Sequence, residues 1–289
     1  MNPRPLDHLV LPVGDLSVAR ARLGALGFTV APDGIHPFGT ANCCVYFADG
    51  TFLEPLAIAD RAVAARTAGE GNVFTARDDL YRRAVGDEGF SALVVATEDA
   101  RGDHARFEAA GMSAGAVLDF SRPFVDSSGR TDTAAFRLAF ASEPSTPDAF
   151  FFACQRVNVP KVDRSALQAH ANGVTAIAQV LLSAAEPPRF AGLLGEVAGA
   201  LPVETRNGIA VTLGQATVAI ARPERLASEF GISNEAATLR LVGAVFATPT
   251  LSAAETHWRD ASIPFERRNG RLVVQPAPGQ GATFIFEGR

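Results

Sequence analysis

The first sixty residues change between two hydrophobic periods. Residues 6–13 (LDHLVLPV) alternate in a way typical of a strand, whereas residues 15–27 carry apolar side chains at helical spacing and end at a glycine. Three further strand-like runs follow, at 28–32, 42–48 and 51–58. The turn-rich segment DGIHPFGT and the hairpin signal Asp49-Gly50 separate these runs. The predicted order of elements is β-α-β-β-β.

The same order of elements recurs along the rest of the chain. After the first module at 6–58, similar sets of segments occupy 90–155, 174–230 and 238–289. The internal sequence identity is low, but the order and the lengths of the segments agree. One supersecondary unit repeated in this way predicts an α+β fold of four βαβββ modules, paired into two domains.

Two segments lie outside the repeats. Residues 59–89 contain two helix-like pieces, and their charges are most simply read as a solvent-exposed helical face. Residues 158–173 contain the proline and polar residues typical of a linker. We therefore predict an N-terminal domain over 1–157 and a C-terminal domain over 174–289.

The composition indicates what kind of protein this is and which partners it is expected to bind. The 289 residues are 47% hydrophobic and 20% charged, which is enough apolar material for two cores. The net charge of −5, with scattered Lys and Arg, gives no footprint for nucleic acid. The chain begins without a secretory pattern, and its longest apolar stretch is shorter than the ~20 residues of a membrane-spanning helix. A cytoplasmic protein without a membrane segment is expected.

The three cysteines favour neither a disulfide framework nor a structural zinc site. Cys43 and Cys44 are adjacent in a predicted strand, where successive side chains leave from opposite faces. The chain also has no CxxC pair and no other close Cys/His cluster. Candidate chemistry must therefore come from other residue types.

Several segments resemble the vicinal oxygen chelate superfamily. They are LDHLVLPVGDL and HPFGTANCCVYFADGTFLEPLA in the first module, FSRP at 120–123, and FFFACQ followed by HANG. The superfamily includes glyoxalase I, extradiol dioxygenases, fosfomycin-modifying enzymes and bleomycin-binding proteins, and the narrower likeness is to bacterial glyoxalase-like proteins of about this length. The resemblance implies that two modules close a curved mixed sheet around a cup. A divalent metal ion can be held there by the first and last strands of each module.

His8 and Glu54 match the family's His and Glu positions in the first and last strands of module one. The resemblance implies that both hold a divalent metal ion, with Zn, Fe, Mn and Ni all open, and that Glu54 is catalytic. Strand parity supports a site, because Glu54 shares a face with Phe52, Leu56 and Ile58. A carboxylate on an apolar face needs a partner, and His8 is the nearest candidate in the fold.

The second module is expected to add little to this site. Its alignment with the first places Ala92 opposite His8 and Ala153 opposite Glu54. Gln155 follows on the same face, where only its amide oxygen could help. Since a zinc or iron site usually has three or four protein ligands, metal dependence stays open.

The C-terminal half matches the pattern less well still. Gln179 and Gly243 take the first-strand positions, and only Glu287 in TFIFE echoes Glu54 in TFLE. A role in bracing the first half or supplying an interface is therefore open for this half.

Three more residues are candidates for contacts with a substrate. His36, in the loop GIHPFGTAN at the expected rim of the cup, is a third metal ligand, a proton shuttle or an ordinary turn residue. Asn42 either ends the turn or reaches into the cup. Arg122 suits a carboxylate or phosphate through paired hydrogen bonds, or forms an exposed salt bridge. Together with Gln155, these residues form the predicted substrate-binding set.

Two functions fit these observations. The first is a metal-assisted lyase, isomerase or dioxygenase that acts on a small oxygenated molecule in the N-terminal cup. The alternative is a non-catalytic binding or resistance protein with a degenerate metal site, which the missing ligands of module two favour. A small molecule is the expected partner in both, and homodimer formation is left open.

Overall fold

Two curved mixed sheets form the framework of the protein. The computed structural model describes residues 3–125, 131–143, 145–146, 148–160, 162–233 and 238–289. Strands of the first half form one sheet and strands of the second half form the other. The α+β fold of four βαβββ modules in two domains is confirmed. Within the described ranges, no helix is long and apolar enough to cross a membrane.

Module one differs from its prediction in the hairpin. Its elements are β1 (Leu6–Pro12), α1 (Leu16–Ala25), β2 (Gly34–Ile35), β3 (Thr40–Asn42), β4 (Val45–Tyr46) and β5 (Phe52–Ile58). The predicted strand at 28–32 is absent, and the first hairpin strand lies in the segment expected to be a turn. The backbone N–H of Thr29 bonds to His170 Nδ1 and that of Ala31 bonds to the carbonyl of Cys44. The backbone N–H groups of Thr29 and Ala31 therefore form hydrogen bonds outside a regular β-ladder.

The insertion and module two complete the first sheet. Their elements are α2 (Arg61–Gly69), α3 (Val73–Ala84), β6 (Ala92–Ala96), α4 (Ala100–Ala109), β7 (Leu118–Val125), β8 (Thr131–Ala141) and β9 (Phe150–Asn158). The strand order is β2-β3-β5-β1-β6-β9-β8-β7, and β4 also pairs with β5. The first strands of the two modules meet antiparallel at the centre, while each pairs in parallel with its own last strand. This arrangement brings His8 next to the strand that carries Glu54.

The second sheet repeats this topology. Its elements are β10 (Ala176–Ser183), α5 (Ala191–Ala198), β11 (Val203–Thr205), β12 (Gly208–Leu213), β13 (Ala216–Ala221), α6 (Pro223–Phe230), β14 (Arg240–Thr248), α7 (Leu251–Asp260), β15 (Glu266–Arg268), β16 (Arg271–Val274) and β17 (Thr283–Gly288). Its order is β11-β12-β13-β10-β14-β17-β16-β15. Helix α6 was not predicted, although Pro223 at its start and left-handed Gly231 after its end are typical helix boundaries.

The two halves share one hydrophobic core. The convex faces of both sheets and the helices between them form a single cluster of buried side chains. Phe28 of module one contacts Phe246 and Phe284 of module four, with ring centroids 5.5 and 6.3 Å apart. The predicted linker is docked in this region, where the Asn172 side chain donates to the carbonyl of Leu26 at 2.9 Å. The halves are thus packed against each other through apolar contacts.

The insertion covers the concave face of the first sheet. Phe74 at the start of α3 is buried in the concave apolar cluster with Phe38 and Phe152. The charges of α2, such as Arg61 and Arg66, are exposed as predicted, whereas those of α3 are only partly exposed. Asp78 is buried and pairs with Arg82 at 2.8 Å. The insertion therefore acts as a wall of the cup, which a reading of its charges as a solvated face misses.

Candidate active site in the N-terminal cup

A bulge in β1 places two ionisable side chains on the same face. Strict alternation would put Asp7 with Leu9, on the side opposite His8. The register with β6 shifts between Leu6 and His8, so that Asp7 is an extra residue in the strand. Asp7 and His8 are both buried, and Asp7 Oδ2 lies 3.4 Å from His8 Nδ1. At this separation the two form an ion-pair contact without a well-aligned hydrogen bond.

Glu54 is the centre of the buried polar cluster. It lies on β5, next to the strand that carries His8, and is 6% exposed. Its Oε2 lies 3.3 Å from His8 Nε2, and its Oε1 lies 3.7 Å from His36 Nε2. Asn42 Nδ2 donates to Oε1 at 2.7 Å. The structure thus brings His8, His36, Asn42 and Glu54 together.

The β2–β3 hairpin positions His36 and Asn42. The backbone N–H of His36 bonds to the carbonyl of Thr40 at 2.9 Å, and His36 Nδ1 lies 2.8 Å from Thr40 Oγ1. Gly39 in this turn has φ +88°, and a Cβ there would lie 2.5 Å from Ala64 N of α2. Close packing of α2 on the hairpin therefore holds His36 inside the cup, where it is buried, instead of at the expected rim.

Aromatic rings surround the two imidazoles. Phe52 stacks on His8 with ring centroids 4.3 Å apart, and Phe38 stacks on His36 at 5.0 Å. Phe120 of β7 meets the His36 ring edge-on at 5.9 Å. These contacts fix the orientation of both imidazoles and exclude water from the cluster, which strengthens its electrostatic interactions.

Burial and neighbouring charges shift the two imidazoles in opposite directions. Burial alone would lower the pKa of His8, but the contacts with Asp7 and Glu54 outweigh it and raise this pKa above 6.5. Burial lowers the pKa of His36 to about 4, against the opposing charge of Glu54. Burial would raise the pKa of Glu54, yet its imidazole partners lower it to about 2. At pH 6.5 the protonated form of His8 therefore predominates, while Glu54 is ionised and His36 is neutral.

The neutral His36 has a defined pattern of hydrogen bonds. Its Nε2 lies 3.3 Å from Asn42 Nδ2, which can only donate. Nε2 is therefore the acceptor, and Nδ1 carries the proton toward the hydroxyl of Thr40. The unprotonated nitrogen of His36 consequently faces Glu54.

Arg156 and Asp7 support His8 and were missed in the sequence. Arg156 on β9 donates to Asp7 Oδ1, and its guanidinium lies 5.8 Å from the ring centroid of Phe52. Because Phe52 also stacks on His8, this pair holds the imidazole from two sides. Asp7 follows a common strand pattern, and no local signal reveals the bulge that turns it toward the cup.

Arg122 lies at the mouth of the cup. It is half-buried on β7 and shares a face with Phe120. A Cβ on Gly34 of β2 would lie 1.8 Å from Arg122 Nη1 and 2.6 Å from Asn42 Oδ1. Since β2 and β7 are the two edge strands of the sheet, the guanidinium lies where these edges approach each other.

Module two carries no polar residue at the places of His8 and Glu54. Ala92 takes the place of His8, as expected, and the strand register gives Phe152 the place of Glu54. The sequence alignment had matched Glu54 to Ala153, one residue further along. This difference of one residue changes which face each side chain occupies.

Gln155 consequently lies outside the cup, which corrects its expected position. Phe152 and Cys154 belong to the concave cluster, so Gln155 points to the opposite face. There it donates to the carbonyl of Glu98 at 2.6 Å and accepts from the backbone N–H of Ala100 at 3.4 Å. Its side chain contacts the start of α4 instead of the site.

The C-terminal positions form no comparable cluster. Gln179 lines a cavity of about 230 Å³ beside α6. Glu287 lies at the rim, where Arg271 Nη2 and Arg289 Nε contact its carboxylate at 2.8 and 2.6 Å. Glu287 thus forms ion pairs with arginines, whereas Glu54 contacts imidazoles. The strand register places Ile285, and not Glu287, at the position of Glu54.

The donor types of the N-terminal cluster suit a divalent metal ion, but their arrangement is that of an ion-paired network. The contacts of 3.3 and 3.7 Å around Glu54 are near the ~3.4 Å between two ligands of a tetrahedral ion. A metal-binding imidazole must be neutral, so His8 would have to release the proton that Asp7 and Glu54 stabilise. In the described part of the chain, no group of three or more His, Cys, Asp or Glu side chains is placed to hold a metal ion.

A family model described as Glyoxalase-like domain matches residues 6–198, which is more than half of the chain. The match covers the whole first sheet and extends through α5. No curated protein matches the sequence.

Solved structures share the complete fold at low sequence identity. A hypothetical protein from Staphylococcus aureus is 12% identical, with a TM-score of 0.65, and 99% of each chain is covered. A mutant of 4-hydroxymandelate synthase from Streptomyces coelicolor is 13% identical, with a TM-score of 0.59, covering 100% of this chain and 94% of that chain. A xylose isomerase-like TIM barrel/4-hydroxyphenylpyruvate dioxygenase fusion protein is 10% identical, with a TM-score of 0.50, covering 99% and 49%. These similarities show the fold.

Proposed function

Because the chain belongs to the glyoxalase-like domain family of the vicinal oxygen chelate superfamily, we propose that its N-terminal cup binds a small oxygenated molecule and acts on it as an enzyme. Of lyase, isomerase and dioxygenase chemistry, the groups present favour the first two. Lyases and isomerases of small oxygenated molecules move protons, and the cluster consists of groups that hold or move protons.

The observation that carries this proposal is the pair of imidazoles on either side of Glu54. Their pKa values are shifted in opposite directions although both rings contact one carboxylate. Environments that separate the pKa values of neighbouring titratable groups assign one as an acid and the other as a base. His8 is the proton donor in this proposal and His36 Nε2 is a proton acceptor.

Glu54 is the proposed catalytic carboxylate. It contacts both imidazoles, so it can pass a proton between the substrate and either ring. With a pKa of about 2 it is a weak base in the free protein. A substrate that separates Glu54 from His8 would remove the main stabilisation of its charge and make it a stronger base. Asn42 holds Oε1 and so orients the carboxylate.

We further propose that the same site binds a divalent metal ion. His8 and Glu54 are the proposed ligands, and the ion when bound would polarise vicinal oxygens of the substrate. His8 must first release its proton, so metal binding would strengthen as the pH rises. The identity of the metal ion among Zn, Fe, Mn and Ni is open, because imidazole and carboxylate ligands suit each of these metals.

A non-catalytic binding protein is the second candidate. One observation favours it: the places of His8 and Glu54 in module two hold Ala92 and Phe152, which leaves the cup with half of a symmetric ligand set. Such a protein would bind its ligand through the apolar wall, and its affinity would not depend on Glu54.

Deuterium exchange separates these two candidates. The full chain is incubated in D₂O with hydroxyacetone or pyruvate, and exchange at the carbon next to the carbonyl is followed by NMR. We expect exchange that falls by about 10²-fold or more in Glu54→Gln, because a positioned proton-transfer group contributes this much. Glu287→Gln, a carboxylate at the rim of the other cup, is the matched control and should exchange normally. Equal exchange in wild type and Glu54→Gln would contradict enzymatic proton transfer.

Metal analysis of the chain purified without chelator tests whether the site binds a divalent metal ion. About one equivalent of a divalent metal, lost in His8→Ala, supports metal assistance. A trace amount in wild type would remove the metal from the proposal while leaving the acid–base pair intact.

A further inference from the structure

Arg122 is the cation of the cup that the proposed proton transfer does not use. It follows Phe120 on the concave face of β7, and the ring of Phe120 lies against His36. Arg122 is the next residue after Phe120 on this face, so its guanidinium lies closer to the mouth of the cup than the Phe120 ring does. Its Nη1 lies against Gly34 on the opposite edge strand.

The backbone of β2 leaves space for this guanidinium. Gly34 lies outside the left-handed region of φ, so its lack of a side chain is not required by the backbone conformation. A Cβ would approach Arg122 Nη1 to 1.8 Å and Cζ to 3.0 Å. Any side chain at this position would therefore force the guanidinium to shift.

Three described side chains near the guanidinium are uncharged. They are Asn42, Cys44 and Tyr46. The pKa of Cys44 is raised by burial, and the pKa of Tyr46 is raised by the neighbouring Cys44 and by burial. Both side chains keep their protons, so the charge of Arg122 is not balanced by them.

Two ion pairs account for the other buried charges in the described part of the cup. Asp7 pairs with Arg156, and Glu54 pairs with His8. Among the described residues of the cup, Arg122 therefore adds one positive charge next to the acid–base pair. A low-dielectric cup with one excess cation favours an anion.

We infer that the molecule bound by the proposed N-terminal site is a small carboxylate, with its carboxylate group against Arg122 and its reactive carbon facing Glu54 and His36. This inference rests on the proposed function and adds the substrate class. The planar fork of Arg122 matches the two oxygens of a carboxylate, and Gly34 determines the specificity by leaving room for the fork. Inorganic phosphate has oxygens of similar chemistry and is tested as an alternative ligand of Arg122.

Calorimetry with the full chain tests this inference. The probes are pyruvate, its neutral amide pyruvamide, and inorganic phosphate. We expect pyruvate to bind about tenfold or more tightly than pyruvamide, because hydrogen bonds between charged groups are the strong ones. Arg122→Gln should remove this preference.

Gly34→Ala gives a second variant at the other side of the contact, where the new Cβ would also approach Asn42 Oδ1 to 2.6 Å. It should weaken pyruvate binding as Arg122→Gln does, since the new methyl group occupies the place of the guanidinium. Gly24→Ala is the matched control, because a Cβ at Gly24 meets nothing within 4 Å. Thermal unfolding of each variant checks that the chain is folded.

The outcomes separate this inference from the proposed function. Pyruvate binding that depends on Arg122 and Gly34 supports the inference. Tighter binding of phosphate than of pyruvate, with the same dependence, overturns the carboxylate in favour of a phosphate. Equal binding of pyruvate and pyruvamide, insensitive to Arg122→Gln but altered by Glu54→Gln, overturns the inference alone. If no probe binds, or if binding is insensitive to Glu54→Gln as well, both fail.

Discussion

The two cups are built from the same modules but are filled differently. The N-terminal cup buries His8, Glu54 and His36 among aromatic rings. The C-terminal cup has apolar side chains, including Leu226 and Phe230 of α6, around a cavity of about 230 Å³, and its charged groups lie at the rim. The second half thus shows that this fold forms without a buried polar cluster.

This difference separates what the fold needs from what the site needs. Buried ion pairs are often no more stabilising than well-packed apolar residues of similar volume. In the C-terminal cup, apolar residues take the place of buried ion pairs. The polar cluster of the N-terminal cup is therefore explained better by chemistry than by stability, and the predictions below test this contrast.

The largest expected effect comes from the side chains that fill each cup. Phe74→Ala and Phe230→Ala should each reduce the free energy of unfolding by about 3–5 kcal/mol, because both rings are buried and would leave cavities. Denaturant unfolding measures this loss. Only Phe74→Ala should also move the pKa of His36 back toward 6.5, since its ring packs against that imidazole. Similar changes at His36 in both variants would contradict a local role for α3.

Removal of each carboxylate should have unequal effects on stability. Glu54→Gln leaves buried His8 and Asn42 without their ionised partner and should cost about 1–3 kcal/mol. Glu287→Gln should cost less than about 1 kcal/mol, because its partner Arg271 is partly exposed and solvent screens the pair. Denaturant unfolding of both variants makes the comparison. Equal losses would show that the two carboxylates have equivalent roles.

A smaller effect is expected in the dependence of stability on pH. The raised pKa of His8 gives a contribution that is fully present below pH 6.5 and is lost as the pH rises through the folded pKa. The pKa of His36 falls to about 4 on folding, so stability also declines as the pH falls from 6.5 toward 4. Unfolding midpoints should therefore peak near pH 6.5. In His8→Gln the alkaline decline should be weaker, and an unchanged profile would contradict the charged state of His8.

Much of this fold could be predicted because its main signals are local. Strand periodicity and the repeated order of elements located the four modules. The hairpin of module one was harder, since β2 and β3 contain only two and three residues. Such short strands depend on tertiary pairing and leave no clear period in the sequence.

The site was predicted only in part, for two physical reasons. Parity and resemblance found His8 and Glu54, but the bulge that adds Asp7 depends on pairing between strands distant in sequence. The placement of Gln155 was wrong because an alignment shifted by one residue reverses the face of every side chain. Long-range register, rather than residue type, therefore limited what the sequence could predict about the cup.

The opposite protonation of the two imidazoles beside Glu54 is the central claim, and a ¹⁵N NMR titration of the histidine side chains tests it most directly. His8→Gln and His36→Gln assign the two sets of signals. We predict that His8 stays protonated on both nitrogens at pH 6.5, while His36 is neutral with its proton on Nδ1 and titrates only near pH 4. A neutral His8, or a His36 that titrates near its ordinary value of 6.5, would contradict the acid–base pair.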